Sequence, residues 1–159
     1  MPDTTVLAND IPVAYTPDGG WQGEMPPPIL AGCTEPLVSG APDMRGLWQA
    51  YAIQVNGHAA PEGHPLIEHT ERVEQCGNRV IVVSSGIVHD MRCDGTLENG
   101  VNDVSGAGGQ PIHVAAVFED GKHVLRPNNG AIAVTRAMDG DVLVWTIVPV
   151  STVVRMRRV

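Results

Sequence analysis

The sequence predicts an all-β protein: an eight-stranded antiparallel up-and-down barrel preceded by an extended arm rich in proline and glycine. Three observations lead there. From Asp43 onward, short runs rich in valine and isoleucine alternate with turn dipeptides about every eight to twelve residues, the pattern of a sandwich or barrel. The connectors are short, which pairs successive strands as a meander, and no segment carries a helical period. Closing eight such strands, on roughly 115 residues, removes the edges that an open sheet would expose.

Residues 1–43 hold eight of the thirteen prolines, including Pro26, Pro27 and Pro28. Proline removes a backbone donor and fixes φ, so neither a helix nor a central strand tolerates that density. The same segment carries Ile11, Tyr15, Trp21, Ile29 and Leu30, too much apolar surface for a disordered tail. It reads as an arm packed on the barrel or on a partner subunit, with the barrel itself over 44–159. The expected strands are 46–55, 65–75, 79–92, 96–104, 111–118, 122–126, 131–137 and 141–157, the last with a possible break at Pro149. Their turns lie at 76–78, Asp94-Gly95, Gly106 to Gly109, Asp120-Gly121, 128–130 and Asp139-Gly140. Most supply residues that accept positive φ.

A chain of 159 residues fits one domain that buries roughly 68–70% of its unfolded surface. With 43% apolar and 18% charged residues it is neither disordered nor fibrous, and no apolar run approaches the roughly 20 residues that span a bilayer. The first residues lack a basic start followed by an apolar stretch, so a cytoplasmic address is expected. Cys33, Cys76 and Cys93 are odd in number and irregular in spacing, which predicts free thiols and no disulfide. The net charge of −8, with basic residues gathered only at Arg155, Arg157 and Arg158, excludes nucleic acid as a partner. Small-molecule or protein partners remain.

Strand alternation nominates the interior. In 65–75, Glu68, Thr70, Arg72 and Glu74 form a solvated face, which turns His69 and Glu71 inward. In 79–92 the expected inward set is Ile81, Val83, Ser85, Ile87, His89 and Met91. A three-residue turn at 76–78 sets His69 opposite Ser85. If Cys93 to Gly95 also forms a three-residue loop, Asp103 and Asn99 face in; a two-residue turn brings Glu98 and Asn102 instead. A carboxylate and imidazoles desolvated in an aliphatic cavity have the shifted pKa values that acid and base chemistry needs without a cofactor. His69 and Glu71 are the candidate proton-transfer pair. His89, Ser85, Asn99, Asp103, Arg136 and Trp145 are candidate substrate-binding groups, Arg136 as an anchor for a ligand carboxylate or phenolate.

Other constellations are weaker. His58, His64 and His69 cluster, but a five-residue spacing sends His64 and His69 to opposite faces of a strand, so no metal is expected. His113 and His123 are expected at the surface. Ser85, His69 and Asp103 have the composition of a hydrolytic triad, yet the expected register places serine between the other two, where the mechanism needs histidine. Gly106 to Gly109 precedes a strand, so it offers no helix terminus for phosphate.

The stretch Pro42-Asp43-Met44-Arg45-Gly46-Leu47-Trp48 resembles the start of the lipocalin or calycin barrel, whose Gly-x-Trp motif lies on the first strand. The resemblance covers roughly 43–159. It implies that Trp48 closes the base of the barrel and that an arginine late in the last strand, Arg155 or Arg157, packs over it. With no leader peptide or disulfide pair, an intracellular barrel is implied. The expected function is a cofactor-independent acid/base enzyme, of isomerase, cyclase, dehydratase or lyase type, acting on a small hydrophobic or aromatic molecule, and the protein is expected to be a homo-oligomer, a homodimer being one form. The alternative is a non-catalytic carrier of a hydrophobic ligand or haem.

Overall fold

The computed structural model describes residues 6–22, 25–105 and 109–159. Its strands are β1 (Gly46–Val55), β2 (His58–Ala59), β3 (Thr70–Cys76), β4 (Arg79–Ser84), β5 (Ile87–Arg92), β6 (Val101–Val104), β7 (Pro111–Glu119), β8 (Lys122–Pro127), β9 (Val134–Asp139), β10 (Val142–Ile147) and β11 (Thr152–Arg158). Ten of them form one antiparallel path, β5-β4-β3-β1-β11-β10-β9-β8-β7-β6, and the short β2 pairs with β1 alone. The two ends of this path approach each other. Arg92 N–H donates to the Asn99 carbonyl at 2.8 Å, and His89 Nε2 lies 2.8 Å from the Val104 carbonyl. The sheet is thus an antiparallel barrel, nearly closed. No helix among the described residues is long and apolar enough to cross a membrane.

The count of ten corrects the expected eight, and the reason is local. The run 79–92 turns back on itself at Ser85 and Gly86, both with positive φ (53° and 81°), so it is a hairpin rather than one strand. A side chain at Gly86 would also meet the Trp21 carbonyl at 2.9 Å. The run 141–157 breaks at Val148–Val150, a 3-10 turn around Pro149 that leaves through Ser151 at φ 45°. The turn after β3 is a residue shorter than expected: Cys76 pairs with Arg79 across Gly77-Asn78 alone, and Arg72 faces Val83. That slip moves every partner of β3 by one position.

The interior core gathers Trp48, Ala50, Ile53, Val73, Val80, Val82, Met91, Val101, Ala116, Leu125, Leu143, Val154 and Met156. A second apolar cluster lies on the outer face of β4 and β5, where Ile81, Val83 and Val88 meet Ala8, Leu30, Ile11 and Ile29. Ile81 and Val83 therefore point away from the barrel, correcting the expected inward set. Both faces of β4 are apolar because both are covered. The described residues of 6–43 contribute no strand, but they hydrogen-bond to the sheet at many points: Leu30 N–H to Glu74, Ala14 N–H to Asp90, Trp21 N–H to the Gly86 carbonyl.

Cys33 and Cys76 form a disulfide with Cα atoms 6.3 Å apart, and Cys93 remains a buried free thiol. The expectation of three free thiols is corrected: contact between residues 43 positions apart is set by the path of the proline-rich segment, which spacing alone does not encode. Disulfides persist in oxidising compartments, so the bond also removes the argument for a reducing one. Trp48 is wholly buried, its indole N–H donating to the Met44 carbonyl at 2.9 Å. The arginine stacked over it is Arg158, at 4.4 Å; Arg157 covers Tyr51 and Arg155 pairs with Asp139.

Candidate functional site

Glu71 sits on β3 with Val73 on the same inward face, and Arg136 sits on β9, directly beside His123 on β8 and Trp145 on β10. Three strands separate β3 from β9 along the sheet, so Glu71 and Arg136 meet across the barrel interior. Arg136 donates through Nε to Oε2 at 2.9 Å and through Nη2 to Oε1 at 3.1 Å, a two-point pairing that fixes the carboxylate plane. His69, just before β3, is held by its carbonyl to Ala50 N–H on β1 and places Nε2 2.8 Å from Glu71 Oε1. Ser84, at the end of β4, has its Oγ 3.4 Å from His69 Nδ1.

These groups line a cavity of about 280 Å³ together with Leu66, Val82, Ser85, Ile87, His89, Ser105 and Trp145. Leu66, His69 and Ser85 also border an outer recess of about 420 Å³, roofed in part by Trp21 and Met25 from the proline-rich segment. The cavity is near the lower end of the roughly 300–1,000 Å³ range of small-molecule sites. Trp145 lies against the histidine, ring centroids 4.7 Å apart, and beneath the Arg136 guanidinium at 5.0 Å.

Burial acts on Glu71 first, pushing its pKa up, but Arg136 and the hydrogen bond from His69 outweigh it and hold the carboxyl down at about 2. It is an anion throughout the neutral range. An ionised carboxylate only accepts, so His69 Nε2 carries a proton, and in the neutral ring Nδ1 is the lone-pair nitrogen, on the side of Ser84. His89 is depressed by burial, despite its bond to the Val104 carbonyl and with Arg136 adding to the fall. A carbonyl also only accepts, so His89 Nε2 bears hydrogen and Nδ1 is the free acceptor.

His123 is fully buried on the interior side of β8, and neither ring nitrogen has a hydrogen-bond partner. Burial, followed by the charge of Arg136, lowers its pKa to about 3. The surface position expected for it is corrected. The Asp120-Gly121 turn pairs His123 with Phe118, and Leu125 two residues on packs in the core, so alternation along 122–126 was the available signal. His113 is exposed beside Asn102.

Of the sequence candidates, His69, Glu71, His89, Arg136, Trp145 and, at the mouth, Ser85 border this one cavity. Asn99 and Asp103 do not. Asn99 donates to Asp94 at 2.6 Å, and Asp103 accepts from Thr16 N–H at 2.9 Å. With Asp103 elsewhere and Ser85 turned out in the hairpin, the expected Ser85–His69–Asp103 grouping is not assembled. The shorter turn puts Ser84 beside the histidine in its place. Of the Gly106 to Gly109 loop, 106–108 lie outside the described residues. Among the described residues, no three His, Cys, Asp or Glu side chains converge to hold a metal ion.

Fold and site together define a class: an antiparallel barrel whose apolar interior carries a charge-locked histidine on a cavity wall. No protein-family model matches the chain, and no curated protein matches it in sequence.

Proposed function

We propose that this barrel is a cofactor-independent acid/base enzyme that transfers protons on a small hydrophobic or aromatic molecule held in the cavity. The observation that carries the reading is the Arg136–Glu71–His69 chain, which fixes one tautomer of an imidazole and turns its unprotonated nitrogen to the cavity side. The division of labour follows from occupancy. Both oxygens of Glu71 are engaged and its pKa is far from neutral, so it positions His69 rather than moving protons itself. His69 is the base, and Arg136, committed to Glu71, keeps that carboxylate charged. His89 Nδ1 accepts from a ligand hydroxyl or enol, while Leu66, Val82, Ile87 and the Trp145 ring hold the apolar part.

A base of this kind contributes roughly 10²–10⁴-fold. Isomerisation, cyclisation, dehydration and lyase steps share one elementary act, removal of a proton next to a carbonyl or similar group. The test is deuterium exchange at the α-carbon of small aryl ketones in D2O, followed by proton NMR. Exchange at least a hundredfold above that in an imidazole buffer, lost in His69→Ala, is expected; none with any ketone, alongside binding of the unchanged ketone, sinks the enzyme reading in favour of a carrier.

A further inference from the structure

Of the three serines on the cavity lining, Ser84, Ser85 and Ser105, one stands beside the base. Ser84 Oγ lies 3.4 Å from His69 Nδ1, while the other ring nitrogen lies 2.8 Å from Glu71 Oε1, so histidine stands between a hydroxyl and a buried carboxylate. That is the order nucleophilic catalysis requires: hydroxyl, base, orienting acid. A 3.4 Å separation is long for a formed hydrogen bond and within the looseness of ligand-free sites, which tighten when substrate binds. Glu71 is wholly buried and locked by Arg136, so it stabilises the imidazolium that forms when His69 takes the serine proton. Trp145 supplies a second independent feature. Its ring lies on the same wall, 4.7 Å from that of His69, and its buried indole N–H has no acceptor.

We propose that Ser84 is a nucleophile and that the barrel hydrolyses small aryl esters through an acyl-serine intermediate. The proposal rests on the same His69–Glu71 pair as the proton-transfer reading and adds a covalent step to it. Ser84 Oγ bonds to the acyl carbon as its proton passes to His69 Nδ1. The ester C–O bond then breaks, and the leaving phenoxide takes that proton and departs as a phenol. Water attacks the acyl-serine, giving its proton to His69; the carboxylic acid leaves and the proton returns to Ser84. The N–H donors of the cavity lining that have no protein partner, Arg136 Nη1 and Trp145 Nε1, are those available to the oxygen on which negative charge develops. The apolar wall of Leu66, Val82, Ile87 and Trp145 suits an aryl group.

Treatment of the folded full chain with diisopropyl fluorophosphate tests the step directly, because a nucleophilic serine displaces fluoride and gains a stable phosphoryl group. Peptide mass mapping is expected to find one adduct, on Ser84, forming at least a hundredfold faster than in the urea-unfolded chain. The adduct is expected to persist in Ser85→Ala and to vanish in Ser84→Ala. An unmodified Ser84, an adduct on Ser85 in its place, or equal labelling of folded and unfolded chains overturns the proposal. The ketone-exchange result separates the two readings. An adduct on Ser84 without exchange leaves the nucleophile standing and removes the acid/base reading; exchange without an adduct does the reverse.

Discussion

Arg79 and Asp90 face each other from β4 and β5 on the outside of the barrel, under residues 8–14, whereas Arg136 and Glu71 meet from opposite walls of its interior. Both are buried arginine–carboxylate pairs, and they are finished differently. Arg79 spends its remaining donors on the carbonyls of Ala8, Ile11 and Pro12, and Asp90 also accepts from Ala14 N–H. Every donor and acceptor there is turned to protein, so the pair fastens the proline-rich segment to the sheet. Arg136 gives Nε and Nη2 to Glu71 and makes no further hydrogen bond among the described residues, while Glu71 passes its second contact to a histidine on a cavity wall. A saturated pair holds structure; an unsaturated one beside empty space holds a reactive group. Buried pairs are weak evidence for stability in themselves, since desolvation offsets much of the attraction. What their surroundings do with the leftover valences distinguishes them.

Removing one arginine from each pair gives the largest effect and the sharpest contrast. Arg79→Leu strands the Asp90 carboxylate and three backbone carbonyls, and the expected loss in urea unfolding is about 5 kcal/mol, the upper end for a broken buried pair. Arg136→Leu also leaves a buried anion, but beside a cavity that water can enter, so its loss is expected to be smaller by at least about 1 kcal/mol. Amide hydrogen exchange over 8–14 should rise only in the first variant. Equal losses would erase the distinction between the two pairs.

The disulfide tests the same fastening by another route. Linking Cys33 to Cys76 closes a loop of 43 residues, and on the chain-entropy account opening it costs about 4 kcal/mol. Cys33→Ser compared with the oxidised chain measures this. A loss below about 1 kcal/mol would mean that the hydrogen bonds around Arg79 and Glu74 hold the segment unaided.

How much of this was written in the sequence depended on how far apart the deciding residues were. The all-β class and most hairpins were legible because Asp120-Gly121 and Asp139-Gly140 sit between alternating runs, and alternation needs only near neighbours. The same rule turned Glu71 and His89 toward the interior, whereas along 131–137 it left Arg136 free to face either way. Ser84 was missed for Ser85 because one residue of turn length exchanges the two: Gly77-Asn78 is itself a two-residue hairpin signal, and counting Cys76 into the turn shifted the register. Ile81 and Val83 misled because a strand covered on both faces shows no alternation. The disulfide, and the partners of Arg79, lie tens of residues away in a segment whose path proline constrains but does not specify. The charge-locked core of the site was thus half legible: His69 and Glu71 by alternation, the meeting of Glu71 with Arg136 across the barrel not at all.

Acidification probes the interior at an intermediate scale. His123 has a folded-state pKa near 3 against an ordinary value of 6.5, so the unfolded chain binds its proton first and the stability it contributes, complete above pH 6.5, drains away as pH falls toward 3. At about 1.4 kcal/mol per unit once the unfolded ring is fully protonated, the loss between pH 6.5 and 4.5 is about 2 kcal/mol. Glu71, at about 2 against 4.5, follows the same sign in a lower window: its contribution is present above pH 4.5 and is lost from there down to about 2. Urea midpoints measured from pH 7 to 4.5 should therefore slope downward in the natural chain and become shallower in His123→Leu, the remaining slope coming from His89, also depressed by burial. An unchanged slope in that variant would remove His123 as the source.

The smallest effect is on catalysis and bears on why the interior pair exists. Glu71→Gln keeps the shape of the side chain and an acceptor for His69, but removes the negative charge facing the imidazole. If Glu71 positions and stabilises a protonated His69, ketone exchange should lose tenfold or more in kcat, about 1.4 kcal/mol in the barrier, with KM nearly unchanged because the glutamate is wholly buried behind His69 and Arg136. A structural role alone would lower the folded fraction and leave the kcat of the folded molecules as it was. The decisive readout is kcat per folded molecule, with the folded fraction taken from the unfolding curve. Asp90→Asn supplies the counterpart, because the outer pair touches neither cavity nor histidine: its expected signature is lost stability with kcat intact. Should Glu71→Gln show that signature too, the interior pair is scaffolding like the outer one, and His69 acts, if it acts, without it.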